Sequence, residues 1–400
     1  MATPTTPYDA VLQAARDVTK LDCALDAEML ATALLGSVYA VAEDDRAEAV
    51  REFVAEFLTA TSRRRTAAAT TIREVFARLV PDASGAAGVK RGAQAPAWVG
   101  EIGRVQVTGC YAYGDVYGDQ TSYLATFAYD DREAGGPEHA VVALVDHNIG
   151  ITKDVFVGGP AGGIVERVRE MCAGDELTWF REEDPRRLRA EVARHLRITD
   201  GLTNLPDEGS LATDRALAGA RLALLPAPSL APVSAEPLSS DERTALVRRF
   251  LDSSEAARFG LTHVSEAELP SLHFCLSLVL DYAASFAEPD PMRWSPAVAS
   301  LFLLDWVHRR AVLDMDDAAM LPRVTRAWAA YASRQRGLPM IAQSQTDAAI
   351  EEMIPEFVRL YTTGERRSPA TAAVAQLIAD GVDPNDPDAL DRWIEAHRDK

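Results

Sequence analysis

Two short acidic stretches hold most of the residues able to do chemistry. Asp115, Tyr117 and Asp119 lie in the first; Asp146, His147 and Asn148 lie in the second, followed closely by Lys153 and Asp154. Carboxylates beside an imidazole can act as base and acid, or hold a hard metal through oxygen with His147 completing the shell. The same residue types are also what β-turns are made of, because Asp and Asn bond to the backbone that follows them.

These residues can meet only if the chain around them folds as a meander. Arg104 to Tyr113, Thr121 to Tyr129, Glu138 to Asp146 and Ile151 to Val157 are rich in β-branched and aromatic residues and are separated by turn formers, which predicts four antiparallel strands. Leu177 to Phe180 is a possible fifth. In such a meander the first and third connections emerge at one end of the sheet. With strands about 4.8 Å apart, the two acidic turns are expected roughly 10 Å from each other. The third strand, Ala140 to Val145, is apolar on both alternating faces, so both sides of the sheet need cover. Asp130 to Pro137 reads as a longer hairpin loop, and Trp98 as a lid at the sheet's edge.

Most of the remaining chain reads as helix. The fold class expected is α+β and mostly helical, with a small antiparallel meander of four to five strands flanked by an N-terminal helical bundle and a C-terminal all-α domain. The expected division is residues 1–82 as the bundle, 97–225 as the α+β domain, 226–238 as a proline-rich linker and 239–400 as the all-α domain. Asp26 is expected to cap the second helix and Asp44 or Asp45 the third. Further helices are predicted at 164–172, 184–197, 213–224, 241–252, 271–286, 297–310, 321–336, 346–361, 368–380 and 386–397.

Composition narrows the function. The 400-residue chain is 48% hydrophobic and carries a net charge of −19, with no basic third, which disfavours a phosphate-backbone binder. Cys23, Cys110, Cys172 and Cys275 are far apart and read as reduced, buried thiols. The start lacks a secretory pattern, and the apolar segment 272–286 is too short for a bilayer, so a cytoplasmic protein without a membrane partner is expected.

Other motifs are weaker. Gly158 to Gly163 suggests a flexible turn or an anion site, but it lacks the Gly-Lys-Ser/Thr ending and the dinucleotide order. Arg63-Arg64-Arg65 reads as a solvated helix end. Asp305 and His308 stand a helical turn apart, yet a carboxylate-bridged metal bundle needs two Glu-x-x-His pairs. His273 and Cys275 read as buried residues. The last two helices have helix-turn-helix spacing but acidic content that a recognition helix should not have. The familiar hydrolase, metalloprotease, EF-hand and Cys-x-x-Cys patterns are absent.

Val107-Thr108-Gly109-Cys110, Asp115 to Asp119, Glu138-His139-Ala140 with Leu144 to Asn148, and Lys153 to Phe156 together look similar to a group of uncharacterised proteins from high-GC bacteria. Trp294-Ser295-Pro296 leading to Asp305-Trp306 resembles their helical C-terminal part. The resemblance implies an intact architecture and names no activity, cofactor or partner. The expected function is therefore a cytosolic, non-enzymatic protein-interaction or regulatory role with a protein as partner. The alternative is a metal-assisted or acid-base hydrolase using Asp119, Asp146 and His147, and a nucleic-acid-associated factor ranks third.

Overall fold

A computed structural model describes residues 6–83, 95–205, 209–228, 236–286, 289–382 and 386–397. The chain divides into two compact units, 1–232 and 233–400. That division falls within the proline-rich stretch, of which 229–235 lie outside the described residues, as do 84–94 of the first linker.

The first unit opens with four helices, α1 (Pro7–Ala14), α2 (Ala24–Val41), α3 (Arg46–Ala60) and α4 (Ala67–Leu79). Asp45 caps α3 by accepting from Glu48 N at 3.1 Å. Asp26 is not the N-cap: α2 begins two residues earlier, at Ala24, with Cys23 in the cap position, and Asp26 sits in its first turn, where a negative charge suits the helix dipole. By length and composition α2 is long and apolar enough to cross a membrane, whereas the helix that holds most of the 272–286 segment is shorter. In this fold α2 is a core helix.

The sheet follows. β1 (Val105–Asp115), β2 (Gln120–Tyr129), β3 (His139–Asp146) and β4 (Ile151–Gly158) form the expected antiparallel meander. α5 (Arg132–Gly135) makes a short helix of what was read as a plain loop, with Asp131 accepting from Glu133 N and Ala134 N. α6 (Ala161–Ala173) then carries the chain across to β5 (Thr178–Glu182), which pairs with the outer side of β1, giving the order β4-β3-β2-β1-β5. The expected glycine loop is absorbed by α6: Gly162 and Gly163 are helical, and the preceding Gly159-Pro160 peptide is cis.

α7 (Pro185–Asp200) and α8 (Leu211–Leu222) complete the unit and cover the edge of β4. Val157 N donates to Asp214 at 2.8 Å and Thr152 N to Thr199 at 2.9 Å, so side chains occupy donors that an open edge would offer another strand. One face of the sheet, through residues such as Ala112, Phe127, Val141 and Val155, shares a single core with α2, α3, α4, α7 and α8. The other face, through Leu124, Ala140 and Val142, packs on Ala161 and Val165 of α6. The doubly apolar β3 is thus covered on both sides. The described part of residues 1–82, which the sequence reading separated from the α+β segment, packs through α1–α4 into the same core as the sheet. Trp98 belongs to that core as well: it donates to Leu21 O at 2.8 Å, among the helices and not at the sheet's edge.

The second unit is helical: α9 (Ser240–Leu251), α10 (Ser254–Arg258), α11 (Leu269–Ala284), α12 (Pro296–Leu301), α13 (Val307–Arg310), α14 (Met315–Gln335), α15 (Met340–Thr363), α16 (Pro369–Ala379) and α17 (Pro387–His397). Reciprocal capping boxes start α9 at Ser239 and Glu242, and α14 at Asp314 and Asp317. A π-turn, Phe302–Trp306, joins α12 to α13. Trp294 and Trp328, with Phe250, Phe302 and Phe357, are the largest fully buried side chains of this unit's own core.

Candidate functional site

The two acidic turns lie at the same end of the sheet and touch. His147 N donates to Asp119 O at 2.8 Å, and Gln120 Nε2 donates to Asp146 at 3.2 Å. They are closer than the 10 Å expected because the inner strands of the two hairpins, β2 and β3, are immediate neighbours.

Most of the carboxylate oxygen is already used by the turns. Asp115 accepts from Asp119 N at 3.0 Å and from Gln120 N at 2.7 Å. Asp146 accepts from Asn148 N at 3.0 Å. These are the local side-chain bonds that make Asp a turn residue. Tyr117 is buried, and Asn148 is half-buried with its side-chain oxygen shielded from solvent.

Lys153 and Asp154 do not join the rim. The register shifts between Leu144 and Val145, leaving Lys153 unpaired in the ladder and exposed. Asp154 turns toward the start of α8 and accepts from Ser210 N at 2.8 Å, with Gly209 packed against its carboxylate.

His147 does meet a partner that the sequence did not reveal. Its Nε2 lies 3.0 Å from Thr121 Oγ1, and its ring stands edge-on to His195 of α7 at 5.6 Å between centroids. His195 is 3% exposed and its Nδ1 lies 2.8 Å from Glu191 O. Among the described residues, no group of three or more His, Cys, Asp or Glu is arranged to hold a metal ion. Elsewhere, Asp305 pairs with Arg309 at 2.8 Å and Arg366 at 3.5 Å, while His308 is buried against Phe357 with its pKa lowered by desolvation. The four thiols are free and buried; burial raises Cys110 to about 11 and Cys275 to about 12, so both are neutral at ordinary pH.

The strongest electrostatic feature is one that sequence spacing missed. Glu28 of α2 and Arg221 of α8, 0% and 1% exposed, form a buried ion pair. Tyr129 OH and Gly103 N also donate to Glu28, and Arg221 Nε donates to His139 Nε2 at 2.9 Å. His139 is therefore neutral, and burial followed by the Arg221 charge lowers its pKa to about 4. A second buried set joins Asp200 to Tyr39 at 2.8 Å and, through two bonds, to Arg215 at 3.0 and 2.6 Å. The available signal was a charge beyond the first turn of an apolar helical run, as at Glu28 within Ala24–Val41. No protein-family model, curated protein or solved structure matches the chain.

Proposed function

We propose that this chain is a cytosolic, non-enzymatic interaction protein whose docking element is the α16–α17 pair. The carrying observation is the apolar surface that this pair leaves exposed. Val374 and Ile378 stand one turn apart on α16 at 44% and 50% exposure, and Ile394 on α17 is 49% exposed. Trp393 Nε1 donates to Asp380 at 2.8 Å and ties the two helices together. The same pair carries exposed Asp380, Asp386, Asp388, Asp391 and Glu395, against a single Arg392 among its described residues. A helical apolar stripe bordered by carboxylates fits a protein groove that is apolar within and basic at its rim. The occupation of Asp115 and Asp146 by turn N–H groups speaks against their use as acid and base.

The test compares the full chain with Val374→Asp/Ile378→Asp in affinity capture, followed by reconstitution with the purified partner. A protein retained by the full chain through a high-salt wash, bound again after purification and lost at least tenfold by the variant supports the reading. Recovery of the chain alone, or an unchanged partner in a variant of unchanged melting temperature, overturns it.

A further inference from the structure

The first unit contains an open cleft of about 510 Å³ between α2, α8 and the α3–α4 pair. Small-molecule sites have volumes of about 300–1,000 Å³. The floor follows one side of α2 from Glu28 through Leu35 and Gly36 to Tyr39, a length of about 17 Å at the helical rise.

The cleft is open for a local reason. At Gly36 a Cβ would lie 2.5 Å from Ala212 O, so the backbones of α2 and α8 are in direct contact there. Beyond that point α8 contributes the small residues Ala216, Gly219, Ala220 and Ala223 to the cleft, which Val50, Leu79 and Val80 also line. The result is a long trough whose lining is more apolar than polar.

Its charges differ in how firmly they are held. Arg221 is locked to Glu28, Arg215 to Asp200 and Arg51 to Glu48. Arg78, half exposed at the Gly103 end, keeps only a 3.4 Å bond to Ile102 O and a 3.7 Å approach to Glu74. The carboxylates at the cleft are mostly committed: Glu28 accepts from Arg221, Tyr129 and Gly103, Glu48 pairs with Arg51, and Asp45 caps α3. Asp82 stands exposed at the rim. The least committed cation at the trough is thus the Arg78 guanidinium, which suits a carboxylate.

We propose that this cleft binds an elongated, apolar carboxylic acid, its chain lying along the small residues of α8 and its carboxylate on Arg78. The experiment is calorimetric titration of the full chain with decanoate, decylamine and decanol. Decanoate is expected to bind saturably and at least tenfold more tightly than the other two. Ala216→Leu, or Ala220→Leu should the first variant melt early, fills the trough and weakens decanoate at least tenfold. Arg78→Met brings decanoate to the level of decanol. Absence of saturable binding, equal binding of all three probes, or preference for decylamine through Asp82 overturns the proposal. So does unchanged decanoate affinity in folded variants.

Discussion

Glu28 and Arg221 show what a single buried charge costs and requires. Neither is tolerable alone at 0% and 1% exposure, but together with Tyr129, His139 and Gly103 their hydrogen-bonding groups are largely satisfied. Glu28→Gln leaves the guanidinium uncompensated and is expected to cost about 3–5 kcal/mol, whereas Glu28→Met with Arg221→Met should recover much of that loss. Urea denaturation of the three proteins measures the difference. His139 supplies a pH dependence of definite sign. Its folded pKa of about 4 lies below the ordinary 6.5, so in that window the unfolded chain takes up a proton that the folded chain refuses. Its contribution is intact above pH 6.5, declines as pH falls toward 4 by on the order of 3 kcal/mol, and levels off below. His139→Gln, which keeps an acceptor for Arg221, should flatten that part of a stability-against-pH curve.

Elements in this protein are fixed by side chains that serve backbone groups. The rim at the ends of β1–β2 and β3–β4 is built by Asp115 and Asp146 accepting from the turns. Asp115→Ala removes the acceptor of two N–H groups and should cost about 1–3 kcal/mol, while Asp115→Asn, which keeps one oxygen, should cost less. Equal melting temperatures for both variants and the parent would contradict the turn role. The α2–α8 contact rests on Gly36, where an added methyl would meet the Ala212 carbonyl at 2.5 Å. Gly36→Ala is expected to destabilise by about 1–3 kcal/mol despite alanine's better helix propensity, because the backbone of α8 must retreat. A denaturation midpoint equal to or above the parent's would show that the contact yields freely.

At the scale of the whole chain, each unit has its own core: one in which the sheet and the N-terminal helices are inseparable, one made of helices alone. Residues 1–228 and 236–400, expressed separately, should each unfold in one cooperative transition. By contrast, residues 97–225 without α1–α4 should not, since Phe127, Val141 and Val155 would lose the helices that cover them. Circular dichroism melts of the three fragments distinguish these outcomes.

The strand pattern, the meander and most helix starts were legible because they depend on local periodicity and capping, which act within a few residues. Short β-branched and aromatic runs at 121–129 and 139–146, bounded by turn residues, are enough to place two turns at one end of a sheet, and Asp45 or Ser239 is enough to start a helix. The union of α1–α4 with the sheet was not legible, because the covering faces lie far apart in sequence and either alone resembles an independent amphipathic segment. The same holds for Glu28 with Arg221, separated by 193 positions, and for His147 with His195. Such partners are chosen by packing, and only the folded chain sets the distances that make a buried charge acceptable and a row of alanines into a trough.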